Sequence, residues 1–126
     1  MGCKIACAIV LLALGVNTPQ AIASMRLVSL APNLTDMVVA LNASENLVGI
    51  TDYCQKPEQL LKSKTRVGGM VNPNLEKIVA LKPDLVLMTK EGNGAAIAAQ
   101  LSTLKIPFQA FTIHTIADIH ATLLQI

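Results

Sequence analysis

The chain has 126 residues, of which 52% are hydrophobic and 14% are charged, and its formal net charge is +2. This length allows one domain, and the weak charge excludes a disordered tail or a basic nucleic-acid binder. Aromatic residues make up only 2% of the chain and Trp is absent, so the faces on which nucleic-acid bases stack are lacking. Nucleic acid is therefore not expected as a partner.

The amino-terminal end has the order of a secretory signal peptide. Lys4 precedes the unbroken apolar run 5–16, and polar residues separate that run from Ala21-Ile22-Ala23. The run is too short to span a bilayer, and small residues flanking Ile22 fit a signal-peptidase site. We expect residues 1–23 to be a signal peptide cleaved after Ala23, which predicts a periplasmic or secreted protein without an integral membrane span. The alternatives are a buried helix and a true start at Met25.

Residues 24–126 alternate short apolar runs with segments of helical periodicity. Strands are predicted at 26–30, 47–50, 67–69, 85–88 and 107–111. Helices are predicted to begin at Asn33, within 56–64, at Asn72 or Asn74, at Asn93 and at Thr115, where Asp118 completes a capping-box pattern. Pro83 is expected to end the third helix. This alternation predicts an α/β fold with a parallel, doubly wound, Rossmann-like sheet flanked by helices.

Polar and small residues follow the predicted strands, where ligands bind in open parallel sheets. The candidate ligand-binding residues at this edge are Pro32, Asn33, Asp52, Tyr53, Cys54, Met70, Val71, Asn72, Lys90 and Asn93. Taken singly, each has a structural interpretation: the asparagines cap helices, Lys90 and Glu91 are solvated, and Tyr53 covers the sheet edge. Convergence of the loops on one edge favours a binding site instead.

Signals for catalysis are weak. The sequence contains no glycine-rich phosphate loop and no nucleophile-elbow pattern. His114 and His120 are six residues apart, which is not the spacing of a helical zinc pair. Cys54 has no histidine near it in sequence and is interpreted as a small apolar contact. We therefore predict no catalytic residue, no metal site and no resident cofactor.

Three segments carry a family resemblance: 27–36 (LVSLAPNLTD), 48–54 (VGITDYC) and 74–86 (NLEKIVALKPDLV). Through them the chain closely resembles the amino-terminal lobe of the periplasmic substrate-binding proteins that deliver cobalamin and iron-siderophores to ABC importers. The resemblance implies two α/β lobes joined by one long helix, with the ligand held between them. Residues 24–126 then correspond to the amino-terminal lobe, without the linking helix and second lobe.

The resemblance also implies roles for single residues. Tyr53 falls where cobalamin-binding members place an aromatic contact, and Met70 falls near a second such position. Met is adaptable enough to cover a large apolar face such as a corrin ring. Glu76 matches the acidic residue that docks on arginines of the membrane permease, although a carboxylate in a first helical turn also simply stabilises the helix. Cobalamin, a ferric siderophore and haem all remain open as the transported ligand.

Three hypotheses follow from these observations. The first is a monomeric, non-catalytic binding protein of an ABC importer, with the strand-end loops forming one wall of the ligand site. The second is a small α/β enzyme or nucleotide-binding module that uses the same loops. The third is a non-functional half-lobe, because a ligand that touches one wall buries much less of its surface than a ligand in a formed pocket.

Overall fold

A computed structural model describes residues 24–55 and 57–126 of the chain. The predicted signal peptide and its cleavage after Ala23 therefore lie outside the described residues. The strands are β1 (Leu27–Ser29), β2 (Leu47–Ile50), β3 (Thr65–Arg66), β4 (Leu85–Thr89) and β5 (Phe108–Phe111). The helices are α1 (Pro32–Ala40), α2 (Glu58–Leu61), α3 (Leu75–Leu81), α4 (Lys90–Thr103) and α5 (Ile116–Leu123), with one 3₁₀ turn at Ser44–Asn46.

All five strands form one parallel sheet in the order β3-β2-β1-β4-β5. The central strand β1 pairs with β2 on one side and β4 on the other, for example through Val28 opposite Val86. The chain therefore first winds outward through β2 and β3 and then returns past β1 to β4 and β5. The predicted doubly wound α/β sheet is confirmed, and its switch point lies between β1 and β4.

Helices cover both faces of the sheet, which explains why the strands read as continuous apolar runs. On one face, α1 packs over buried residues of β1, β2 and β4, and Leu123 of α5 packs against the same cluster. On the other face, Ile78 of α3 and Ile97 and Leu101 of α4 pack against Val28 and Val86. None of the described helices is long and apolar enough to cross a bilayer.

Helix starts confirm some sequence predictions and correct others. Asn74 caps α3 by accepting a hydrogen bond from the Lys77 N–H at 2.9 Å, and Thr115 with Asp118 forms a complete capping box on α5. Asn33 is not a cap: α1 begins one residue earlier, at Pro32, whose fixed φ suits a first helical position. Asn93 is not a cap either, because Thr89 accepts from the Gly92 N–H.

The third strand was predicted two residues too late. It comprises Thr65 and Arg66, and the chain leaves the sheet at Gly68, whose φ of 100° is outside the range of a strand. Gly68 instead forms an isolated antiparallel bridge with Pro73. Residues 67–69, which read as a strand in the sequence, therefore begin a closed loop at the carboxyl edge of the sheet.

Candidate functional site

The loops that follow β1, β2, β3 and β4 meet at the carboxyl edge of the sheet, as predicted. The Asn93 side chain joins three of these segments, because its Nδ2 donates to Leu30 O at 2.9 Å and to Met70 O at 2.7 Å. The Asp52 N–H donates to Gly68 O at 2.9 Å and so ties the loop after β2 to the loop after β3. The convergence that favoured a binding site in the sequence is therefore present in the fold.

A shallow depression of about 460 Å³ lies at this edge. It is lined by Tyr53, Gly69, Met70, Val71, Asn72 and Gly92. Tyr53 is 63% exposed and Val71 78% exposed, so both present apolar surface to solvent. The depression is open on one side and thus forms a wall for a ligand instead of an enclosed pocket. We call it the edge depression.

Buried polar groups hold the loop that carries Tyr53. The Cys54 thiol donates to Thr35 Oγ1 at 3.2 Å and lies 3.4 Å from Thr51 Oγ1, and all three side chains are buried. The Arg66 guanidinium donates to the carbonyl oxygens of Thr51, at 2.8 Å, and Cys54. Tyr53 is therefore displayed on a loop whose backbone is fixed from below.

Cys54 was a candidate ligand contact, and the structure places its side chain in the interior, with 3% exposure. Its thiol belongs to the hydrogen-bonded network under the loop and packs in the cluster beneath α1. The sequence interpretation of Cys54 as a small packing residue describes this position well, although its hydrogen bonds were not predicted. Asp52, the residue before Tyr53, is exposed at the surface.

The loop that carries Met70 is closed at its base. Gly68 bridges Pro73, and the Asn74 N–H donates to Val67 O at 2.6 Å. Its Met70 side chain lies against Gly92, where an added Cβ would come within 2.5 Å of Met70 Cε. The absence of a side chain at residue 92 is thus what allows Met70 to lie close to α4.

Asn93 is buried, with 3% exposure, and all of its amide atoms are used. Its Oδ1 accepts from the Thr89 N–H at 2.8 Å, in addition to the two bonds that Nδ2 donates. Gly94 follows with φ 75° and ψ 165°, which breaks the helical geometry of α4 directly after Asn93. Asn93 therefore belongs to the framework of the edge and does not face the edge depression.

Two other candidates line separate cavities. Asn33 lies on an apolar groove of about 330 Å³ between α1 and α5, with Met37, Ile119 and Leu123 among the other lining residues. Lys90 lines a cavity of about 300 Å³ beside the kink at Gly94. Pro32 is half-buried at the start of α1. The structure therefore gathers Tyr53, Met70, Val71 and Asn72 in the edge depression and leaves these three residues outside it.

The far end of the edge, after β4 and β5, is charged. His114 Nε2 lies 3.2 Å from Glu91 Oε1, and both side chains are exposed. Backbone hydrogen bonds from His114 and Thr115 lower the pKa of Asp118 below its usual value. Across the described ranges, no three His, Cys, Asp or Glu side chains are grouped so as to hold a metal ion.

Glu76 lies in the first turn of α3, close in sequence to the loop that carries Met70. Its side chain is exposed, and it forms no ion pair with any residue of the described segments. Because helices in this fold begin at the carboxyl edge of the sheet, Glu76 lies on the same rim of the molecule as the edge depression.

A family model described as periplasmic binding protein matches residues 27–123. The chain belongs to the periplasmic binding protein family. It is 37% identical over 101 residues to a vitamin B12-binding protein of Pectobacterium carotovorum. The aligned region covers 80% of this chain and 36% of that protein. The chain therefore spans well under half the length of this relative.

Solved structures of this family share the fold. The periplasmic vitamin B12 binding protein of Vibrio cholerae superposes with a TM-score of 0.69 and 33% identity, over 79% of this chain and 40% of that one. A periplasmic heme binding protein from Pseudomonas aeruginosa gives a TM-score of 0.70 and 28% identity, over 80% and 36% of the two chains. The family likeness found in the three sequence segments thus extends to the whole sheet.

Proposed function

We propose that this chain forms one wall of the ligand site in the substrate-binding component of an ABC importer, and that the ligand is cobalamin or another large metal chelate such as haem or a ferric siderophore. The observation that carries the proposal is the edge depression, where exposed Tyr53 lies beside Met70 on firmly held loops. Its place at the carboxyl edge is where open parallel sheets bind ligands. The likeness to vitamin B12-binding proteins supports the same conclusion.

The chemistry of the edge depression suits a broad, largely apolar ligand. The Tyr53 ring and the Met70 thioether offer polarisable surfaces for the face of a macrocycle. Asp52 and Asn72, both exposed beside them, offer polar groups for peripheral amides or carboxylates. A single wall covers less than the 70–90% of ligand surface typical of a formed pocket, so tight binding requires a second wall.

Export of the chain is part of this proposal. The order of Lys4, the apolar run 5–16 and Ala21-Ile22-Ala23 supports a signal peptide cleaved after Ala23. Membership of the periplasmic binding protein family favours the same compartment. Amino-terminal sequencing of protein recovered from the periplasmic fraction is expected to begin at Ser24; a sequence that begins at Met1 would contradict the cleavage.

The role of Tyr53 is tested by NMR titration of the ¹⁵N-labelled chain with cyanocobalamin, since this method detects the weak binding expected of a single wall. Tyr53→Ala is expected to weaken binding on the order of tenfold, because it removes the aromatic face. Tyr53→Phe keeps the ring and is the matched control, expected to bind nearly as the unchanged chain does. Equal affinities for all three proteins would contradict the site, and absence of binding by the unchanged chain would favour the non-functional half-lobe.

Glu76 is proposed as the contact with the permease. A carboxylate on an exposed first helical turn is free to pair with an arginine of a partner. Glu76→Ala is expected to reduce uptake of the ligand by cells without changing ligand affinity. Glu58→Ala, which removes another exposed first-turn carboxylate, is the control and is expected to leave uptake unchanged. Normal uptake with Glu76→Ala would remove the docking role.

A further inference from the structure

The buried side chain of Asn93 connects the two halves of the sheet with the loop that carries Met70. Its Nδ2 has two hydrogens, and these are donated to Leu30 O at the end of β1 and to Met70 O. Its Oδ1 accepts from the Thr89 N–H at the end of β4. One amide therefore joins three backbone segments at the switch point of the sheet.

Only a side-chain amide of this length satisfies all three partners. A carboxylate in its place would keep the acceptor for the Thr89 N–H but would face two carbonyl oxygens with no hydrogen to donate. A shorter side chain would remove the partner that Asn93 provides to the buried Leu30 O and Thr89 N–H and to the partly buried Met70 O. The identity of residue 93 thus matters for the loop independently of any contact with a ligand.

The backbone around Asn93 is shaped for this connection. Gly94 adopts φ 75° and ψ 165°, which interrupts the helix directly after the amide. Gly92, on the other side, lacks the Cβ that would meet Met70 Cε at 2.5 Å. Two interactions therefore fix Met70: the hydrogen bond from Asn93 to its carbonyl oxygen and the packing of its side chain on Gly92.

Met70 and its neighbours Val71 and Asn72 supply half of the lining of the edge depression. The base of their loop is fixed by the bridge between Gly68 and Pro73, whereas Val71 at the tip is 78% exposed. Between base and tip, the bond from Asn93 is the only side-chain hydrogen bond to this loop's backbone within the described residues.

We propose that Asn93 is a positioning residue for ligand binding: through Met70 O it sets the height of the Met70–Asn72 loop and thereby the shape of the wall beside Tyr53, without touching the ligand. This inference rests on the proposed function, because it concerns the same wall. It assigns to residue 93 an indirect effect on affinity, through the Met70 carbonyl, which differs from the role of a helix cap and from that of a direct ligand contact.

Two measurements on the full chain test this role. Asn93→Asp and the milder, uncharged Asn93→Ser are each expected to speed hydrogen exchange at the amides of Asp52 and Asn74, which donate to Gly68 O and Val67 O and so close the loop. Both variants are also expected to weaken cyanocobalamin binding on the order of tenfold. Val38→Ala, which shortens a buried side chain of α1 away from this edge, controls for general loss of stability. It is expected to lower the Tm without changing exchange in the loop or affinity.

The outcomes separate this inference from the proposed function. Faster loop exchange and weaker binding in the Asn93 variants, with neither in Val38→Ala, would support the positioning role. Unchanged exchange or unchanged affinity in a folded Asn93→Ser chain would overturn it while leaving the ligand site in place. A loss of affinity in Val38→Ala equal to that in the Asn93 variants would also overturn it. Failure of the unchanged chain to bind cyanocobalamin, haem or a ferric siderophore would overturn the proposed function itself, and the inference with it.

Discussion

The two edges of the sheet are built differently. At the carboxyl edge, the buried polar side chains hydrogen-bond to each other, to the Cys54 thiol or to loop backbone; they belong to Ser29, Thr35, Thr51, Thr89 and Asn93. At the amino edge, α1, α3 and α4 end in short turns through Asn42, Lys82 and Lys105, each with a left-handed φ. A buried polar framework holds display loops in place, whereas short turns only return the chain to the next strand.

The first prediction removes part of the framework at the carboxyl edge. Thr35→Val deletes a buried hydroxyl that contacts Ser29 Oγ at 2.9 Å and the Cys54 thiol at 3.2 Å. Because the side-chain shape is kept, the expected loss is about 1–2 kcal/mol in the free energy of unfolding, from polar groups left without a partner. Urea denaturation measures this loss.

Thr103→Val is the matched control at the amino edge. Thr103 is exposed in the last turn of α4, and its hydroxyl donates to Ala99 O at 3.0 Å. Removal of an exposed hydroxyl is expected to change the free energy of unfolding by less than about 0.5 kcal/mol. If Thr35→Val and Thr103→Val lowered the free energy of unfolding equally, the proposed difference between the two edges would be contradicted.

The second prediction concerns the packing of Met70. Gly92→Ala places a Cβ at 2.5 Å from Met70 Cε and 2.7 Å from Thr89 Oγ1. We expect a loss of about 1 kcal/mol, since overpacking outweighs the better helix propensity of Ala. The double change Gly92→Ala with Met70→Ala is expected to recover part of this loss, which thermal denaturation measures. A double variant less stable than the sum of the single changes would contradict the described packing.

The third prediction concerns the amino edge. Lys82 ends α3 in the left-handed conformation, with φ 47° and ψ 60°. This conformation has a higher free energy for a residue with a Cβ than for Gly. Lys82→Gly is expected to stabilise the chain by about 0.5 kcal/mol, the strain relieved being partly offset by the greater freedom of Gly in the unfolded state. Asn42→Gly is the control with a smaller expected gain, because Asn tolerates this region. A destabilised Lys82→Gly chain would show that the side chain is needed there.

The smallest expected effect is a pH dependence at the charged end of the carboxyl edge. The pKa of Asp118 is lowered by hydrogen bonds from the backbone N–H groups of His114 and Thr115. A lowered carboxyl pKa stabilises the fold at pH above the ordinary Asp value, and this contribution is lost as the pH falls through the lowered value. An NMR titration is expected to show the carboxyl carbon of Asp118 shifting only below the ordinary Asp range. Shifts above that range would contradict the capping geometry.

The order of the elements and the meeting of the loops were predictable from the sequence. Unbroken apolar runs such as 85–88 identify strands covered on both faces. The capping box of Thr115 and Asp118 was predicted correctly, and Asn74 was one of the two caps predicted for α3. In both cases the interacting atoms lie within three residues of each other, so the pattern is visible in the sequence.

The framework beneath the loops was not predictable in the same way. Asn93 donates hydrogen bonds to the carbonyl oxygens of Leu30 and Met70, which lie 63 and 23 residues away in the sequence. No local sequence pattern indicates bonds between residues so far apart. An asparagine after a strand looks the same whether it caps a helix, contacts a ligand or joins distant backbone segments. For the same reason the sequence placed Asn33 and Lys90 in one site, although side-chain direction assigns each to a separate groove.

If the carboxyl edge is a wall for a large chelate, ligand contacts are confined to it. NMR mapping on the ¹⁵N-labelled chain locates these contacts, since this method also detects the weak binding expected of a single wall. Titration with cyanocobalamin is predicted to shift the amides of Tyr53 and residues 69–72 and to leave Asn42, Lys82 and Lys105 at the amino edge unchanged. Shifts absent from the carboxyl edge, or equally large at both edges, would contradict the account.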